Sequence, residues 1–117
     1  VTDNVHLLHA DALSETDWGV LDASDAIVFG TPTYMGGVSA PFKTFIDASS
    51  RRWMERAWAD KIAAGFTNSA SYSGDKQVSL QQLFTLAMQH GMIWVGQNEL
   101  PPQFDAPDAM PTPDRIN

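Results

Sequence analysis

Three short apolar runs, none broken by a charge, set the strongest limit on what this chain can fold into. They are Ala26-Ile27-Val28-Phe29-Gly30, Ile62-Ala63-Ala64-Gly65-Phe66-Thr67 and Met92-Ile93-Trp94-Val95. A strand with one wet face alternates apolar and polar residues, whereas an unbroken run suits a strand covered on both faces, as in a parallel sheet. Thr31-Pro32, Asn68-Ser69 and Gly96 end the three runs. Val5-His6-Leu7-Leu8-His9-Ala10 is a short apolar-rich run and is expected as a further strand.

Helical spacing fills the gaps. Ser39 can cap a helix beginning Ala40-Pro41, where proline costs little because a first-turn amide has no helical partner. Phe42, Phe45, Ile46, Ser49 and Trp53 then recur on one face, with Lys43, Asp47 and Arg51 left for solvent. A second helix is expected from Ser73-Gly74-Asp75, burying Leu80, Leu83, Phe84 and Ala87, with His90 continuing the stripe and Gly91 as a left-handed cap. A weaker helical turn falls within Asp17 to Leu21. This alternation implies an α/β class fold, an open, doubly wound parallel sheet with right-handed crossovers. It is expected to occupy residues 1–100, with the proline-rich acidic stretch 101–117 as a loop or tail.

The chain has 117 residues, seven basic and fourteen acidic, and a net charge of -7, which argues against a nucleic-acid or anionic-membrane partner. Without cysteine it has no disulfide framework, thiolate zinc site or cysteine nucleophile. The apolar runs are far below the ~20 residues of a bilayer helix. Val1-Thr2-Asp3-Asn4 does not start a signal peptide, so a cytoplasmic protein is expected.

Ligands of open α/β sheets bind beyond the carboxyl ends of the strands. Two loops are expected at that edge. Thr31-Pro32-Thr33-Tyr34-Met35-Gly36-Gly37 combines glycines for close backbone approach with a tyrosine and a methionine able to cover a flat ring. Thr67-Asn68-Ser69-Ala70-Ser71-Tyr72-Ser73-Gly74 offers hydroxyls and amides ahead of a helix start. Together they suit a planar, polar-edged heterocycle. Plainer roles stand beside these: loops of this composition end most strands, His90 suits the last turn of any helix, and Trp53 and Trp94 suit a core. Asp22, Asp25, Asp60 and Asp75 are expected to cap elements, and Arg51, Arg52 and Arg56 to form a solvated face. His6 and His9 fall on opposite faces of a strand, so no metal site is expected.

The stretch from Gly30-Thr31-Pro32-Thr33-Tyr34-Met35-Gly36-Gly37 through Phe45-Ile46-Asp47 resembles the third-strand loop and helix of flavodoxin-like NAD(P)H:quinone oxidoreductases. It is similar in particular to the tryptophan-repressor-binding-protein type and NADPH-dependent FMN reductase-like proteins. The likeness continues through Trp53, Lys61, Phe66-Thr67-Asn68-Ser69 and Gln89-His90-Gly91-Met92, covering roughly Ala26 to Gly96. It implies a sheet of order 2-1-3-4-5 with FMN at the strand ends. Thr31, Pro32, Thr33, Tyr34, Met35 and Gly36 would wrap the flavin, and Thr67, Asn68, Ser69, Ala70, Ser71, Tyr72 and Gly74 would bond its polar edge. Trp53 and His90 would frame the pocket where NAD(P)H and a quinone take turns. A dimer or tetramer is implied. The alternatives are an electron-carrier flavodoxin and a flavodoxin-like module without flavin or activity.

The resemblance has gaps. Nothing before Ala26 matches the family's hydroxyl-rich phosphate loop, and its final helix finds no counterpart. An incomplete version of the domain is expected, short of a strand-loop-helix start of ~30 residues.

Overall fold

A computed structural model describes residues 4–72 and 74–97. Val5 to Ala10 carries no strand, because a strand needs a neighbour and none of the described strands pairs with it. Leu8 and Ala10 instead pack against the core as irregular chain.

The first helix, α1 (Glu15–Ala23), is longer than the turn expected from the sequence. Ser14 and Asp17 form a reciprocal capping box: the Asp17 carboxylate accepts the Ser14 N–H at 2.8 Å, and Ser14 Oγ accepts the Asp17 N–H at 3.3 Å. The bond from the Ser14 backbone, followed by that from its hydroxyl, holds the Asp17 carboxyl below its ordinary range. At the other end Lys61 Nζ donates to the carbonyls of Asp22 (2.9 Å) and Ser24, a cap supplied from far along the chain.

The sheet contains β1 (Ala26–Tyr34), β2 (Gly37–Val38), β3 (Ile62–Asn68) and β4 (Ile93–Trp94) in the order β2-β1-β3-β4. β1, β3 and β4 are mutually parallel, in register from Ala26↔Ile62 to Pro32↔Asn68 and from Ile62↔Ile93 to Ala63↔Trp94. β2 folds back antiparallel, pairing Thr33↔Val38 and Tyr34↔Gly37. Met35 (φ 49°) and Gly36 (φ 79°) form its two-residue turn, both left-handed as a type I′ hairpin requires. The expected loop is therefore a strand end and a tight hairpin.

Between β2 and β3 lie α2 (Ala40–Ala48) and α3 (Ser50–Met54); α4 (Lys76–Gln89) joins β3 to β4. The single helix expected from Ala40 to Trp53 breaks at Ser49, whose Oγ donates back to the Ile46 carbonyl at 2.7 Å, a bond that bends helices. Ser39 precedes α2 without a side-chain cap bond; its N–H is held by Thr31 Oγ1 at 3.1 Å.

Ile27 and Phe29 meet Phe42, Phe45, Trp58, Leu83 and Trp18 in one core. Trp18 stacks on Phe45 at 5.4 Å and Phe45 on Trp58 at 6.1 Å. Asp22 does not cap an element: its carboxylate accepts from Arg52 Nε (2.9 and 3.1 Å) and from Trp58 Nε1 (2.8 Å). Arg52 also lies over the Trp18 ring at 4.1 Å, so it belongs to the protein's interior bonding and not to a solvated face. On α4 the buried residues are Ser79, Leu83, Leu86 and Ala87; Leu80 and Phe84 are exposed, which rotates the stripe from the one expected. Gly91 (φ 71°) ends the helix as its cap role predicts.

One expectation fails in an informative way. β1 buries Ile27, Phe29 and Thr31 but exposes Ala26, Val28 and Gly30, so the parallel sheet is covered on one face only among the described residues. Residues 98–117, including the stretch 101–117 expected as a proline-rich acidic loop or tail, lie outside the described residues.

Candidate functional site

Because β1 and β3 run parallel and in register, both expected loops emerge at one edge of the sheet. Three hydroxyls lock that edge: Thr33 Oγ1 lies 2.7 Å from Thr67 Oγ1 and 2.8 Å from Ser79 Oγ, joining β1, β3 and α4. Gln82 Oε1 accepts the Val38 N–H at 2.8 Å and fixes the hairpin to α4. In the second loop Ser69 Oγ donates to the Ser71 carbonyl at 3.0 Å, and Lys76 Nζ donates to Ser69 Oγ at 2.9 Å and to Ser71 O. A Cβ on Gly36 would stand 3.9 Å from Asp75 Oδ2, so the hairpin tip and the second loop approach each other. Asp75 is itself strained (φ 35°) and its side chain caps nothing.

The expected contact residues divide into two groups. Tyr34, Met35, Asn68, Ala70, Ser71 and Tyr72 are exposed at the edge, and Pro32, Gly36, Ser69 and Gly74 are half-buried among them. Thr31 is buried, with Oγ1 occupied by the Ser39 N–H. Thr33 and Thr67 spend their hydroxyls on each other and on Ser79. These three threonines position the loops. Ser79, Lys76 and Gln82 were not singled out from the sequence. A serine at a core-facing position of an apolar helix was the available signal for Ser79.

Trp53 and His90 come together, but not at this edge. Both line a cavity of about 410 Å³ between α2, α3 and α4, with Val38 and Gln82 at its near end. At ~1.5 Å per residue α4 carries His90 ~20 Å from the loop that precedes the helix. His90 is 5% exposed and packs at 4.4 Å from the Trp58 ring. The single Ser49 hydroxyl hydrogen goes to Ile46 O, so Ser49 Oγ accepts from His90 Nε2–H at 2.9 Å. Nδ1 is then a bare acceptor, buried without a partner. Burial lowers the His90 pKa, and the ring is neutral at pH 7. Among the described residues no group of three metal-ligating side chains occurs, and no helix is long and apolar enough to cross a membrane.

The sequence model of the NADPH-dependent FMN reductases matches residues 20–105. The chain belongs to that family. It is 58% identical over 83 residues to flavodoxin FldP of Pseudomonas aeruginosa strain UCBPP-PA14, which covers 71% of this chain and 45% of FldP. It is 44% identical over 78 residues to an NAD(P)H dehydrogenase (quinone) of Archaeoglobus fulgidus, covering 67% of this chain and 39% of the relative. A crystal structure of a WrbA-like flavodoxin from Agrobacterium tumefaciens superposes with a TM-score of 0.71 at 59% identity, over 74% of this chain and 55% of that one. The chain thus spans less than half the length of these curated relatives. Its mostly parallel sheet is an incomplete flavodoxin-like fold within a flavodoxin-like NAD(P)H:quinone oxidoreductase family.

FMN is the cofactor of this family and NAD(P)H its electron donor. The residues present fit the flavin's ring: an exposed positive-φ turn carries Tyr34 and Met35, opposite a loop of Asn68, Ser69 and Ser71. They offer less to its phosphate. Neither loop contains a cation, and the nearby Lys76 is taken up by Ser69 and Ser71.

Proposed function

We propose that this chain supplies the ring-holding part of an FMN-dependent oxidoreductase that passes a hydride from NAD(P)H through the flavin to a quinone-type acceptor. The observation that supports this most is the Thr33–Thr67–Ser79 hydroxyl cluster, which fixes both loops at the carboxyl edge without consuming their exposed groups. Bound there, FMN would supply the two-electron chemistry. The protein's share is binding and orientation. Tyr34 and Met35 shield a ring face from water, while Asn68, Ser71 and adjacent amides donate to its polar edge and steady negative charge on it; Ser69, whose hydroxyl hydrogen goes to Ser71 O, holds the loop in shape. No side-chain acid or nucleophile is required.

The resemblance implies that His90 and Trp53 frame the nicotinamide and quinone pocket. Within one copy α4 carries His90 ~20 Å from the loop that precedes it, and Trp53 lines the same cavity as His90. The dimer or tetramer implied by the resemblance is how the half-exposed Trp53 would reach a flavin, that of a neighbouring copy. His90 acts through Ser49 as a packing group. NAD(P)H supply makes the cytoplasm the place of action.

The absorption spectrum of the purified protein, followed by NAD(P)H oxidation with and without a quinone, tests this reading. A flavin spectrum with quinone-dependent oxidation is expected. The 58% identity to a protein called a flavodoxin favours a second reading, an electron carrier. Bound flavin with no direct NAD(P)H oxidation would favour the carrier. Colourless protein that leaves FMN fluorescence unquenched would favour a module without cofactor.

A further inference from the structure

Lys76 is the first residue of α4, where helix electrostatics least favour a lysine. Cations suit the last turn of a helix, because the backbone dipole already makes the first turn positive. The first turn of α4 contains no acidic residue to offset it, and the Asp75 side chain makes no cap bond. Lys43, Arg51 and Arg52 are each paired with a carboxylate, of Asp47, Glu55 and Asp22. Among the described residues Lys76 has no such partner. It is half-buried, and its ammonium turns back into the loop that precedes the helix. There Nζ donates to Ser69 Oγ at 2.9 Å and to the Ser71 carbonyl, which also accepts from Ser69 Oγ at 3.0 Å. An ammonium has three hydrogens, and these bonds leave one without a partner among the described residues. A positive charge is thus fixed in the loop of Asn68 and Ser71, in a chain whose net charge is -7.

Two plainer roles account for less. Anchoring the loop needs only a neutral donor, which would not oppose the helix dipole. A phosphate contact would turn the ammonium hydrogens outward, and two of the three are turned onto the loop. We infer that Lys76 is a positioning residue of the candidate site: it sets the loop through Ser69 and Ser71, and its charge makes the site prefer the reduced, negatively charged flavin ring over the oxidised, neutral one. This rests on the proposed function, in which the loop meets the polar edge of the ring. A hydride carries two electrons and one proton. The ring that takes it from NAD(P)H therefore gains one negative charge, and the nicotinamide gains one positive charge. A fixed cation beside that edge lowers the energy of the charged ring and leaves the neutral ring nearly unaffected.

The test compares the purified chain with Lys76→Gln, which keeps a donor without the charge, and Lys76→Arg, which keeps the charge. Oxidised and reduced FMN are titrated separately without oxygen, and riboflavin, which has no phosphate, is titrated beside them. Lys76→Gln should lose about tenfold in the ratio of reduced to oxidised affinity, ~30 mV for a two-electron couple. The loss should be the same for riboflavin, and Lys76→Arg should stay within threefold of wild type. Equal weakening of both redox forms by Lys76→Gln would make the lysine structural only and overturn the inference. So would a loss confined to FMN, which would give the cation to the phosphate. A flavin-free measurement checks the anchoring: Lys76→Met, with no donor, should speed hydrogen exchange from Ser69 to Tyr72 at least tenfold, and unchanged exchange would refute it. Wild type that binds neither flavin in either form ends the proposed function and this inference together. Binding with an unchanged ratio in Lys76→Gln ends the inference alone.

Discussion

Ser49→Ala removes one oxygen and should cost about 2 kcal/mol, for reasons that lie in proton counting. Ser49 is 1% exposed and has one hydrogen, committed to Ile46 O, so its remaining role is to accept from His90 Nε2–H. In the alanine variant that N–H is orphaned next to an Nδ1 that already lacks a partner. A buried donor left unsatisfied costs ~1–3 kcal/mol, whereas removing both members of a pair is close to neutral. His90→Phe keeps a flat ring against Trp58 and should cost less than ~1 kcal/mol. The double variant should therefore be less destabilised than the sum of the two, by a coupling of ~1–2 kcal/mol. Urea unfolding at pH 8, followed by tryptophan fluorescence, measures all four corners of the cycle. The pH supplies a second arm. The folded His90 pKa is depressed from 6.5, so its neutral form carries full stability above pH 6.5. Stability falls as the pH drops from there through the folded value, by at most ~1.4 kcal/mol per unit, while His90→Phe lacks this slope. Additive costs, or equal slopes in wild type and His90→Phe, would refute the assignment of the proton.

Gly65→Ala should lose ~1–3 kcal/mol in the same assay, because a Cβ there would meet Leu83 Cδ1 and Trp94 Cη2 at 2.8 Å with the Phe29 carbonyl at 3.3 Å. Asp22→Ala should cost ~2–4 kcal/mol by stripping the fully buried Trp58 indole N–H of its acceptor and Arg52 of its partner; Asp22→Asn, which keeps an acceptor, should cost about half as much. Met35→Gly should stabilise the apoprotein by ~1 kcal/mol by relieving a left-handed non-glycine residue. If Met35 covers the flavin, the same change weakens FMN quenching, and an unchanged titration would count against that role.

The alternation of β1, α2, β3, α4 and β4 was legible because unbroken apolar runs and glycine or proline stops carry strand information locally. The Gly91 cap was legible for the same reason. What was not legible came from partners distant in sequence. Val5–Ala10 has a strand's composition, yet a strand exists only beside another. Ser79 looks like a polar interruption of a helix stripe until Thr33 and Thr67 are brought to it. Met35 is a poor turn former, so its hairpin reads as a loop; the strain is held by Gln82 and by the pairing of β2. At the candidate site the common edge of the two segments was legible from the parallel strands, although the first segment is a strand end and hairpin and not a loop. The sequence could not show that three threonines would be used up in holding that edge, or that α4 would carry His90 to its far end.

Lys61 has a consequence for how the chain is made. The carbonyls at the end of α1 are bound by Lys61, and its one inward carboxylate, Asp22, is bound by Arg52 and Trp58. At ~5–20 residues per second a ribosome that has just made Asp22 reaches Lys61 roughly 2–8 s later. For that interval α1 has its capping box and nothing to fasten it, and nine residues are too few for an isolated helix to persist in water. The segment therefore has nothing to fasten it until a lysine made 39 positions later arrives to close it.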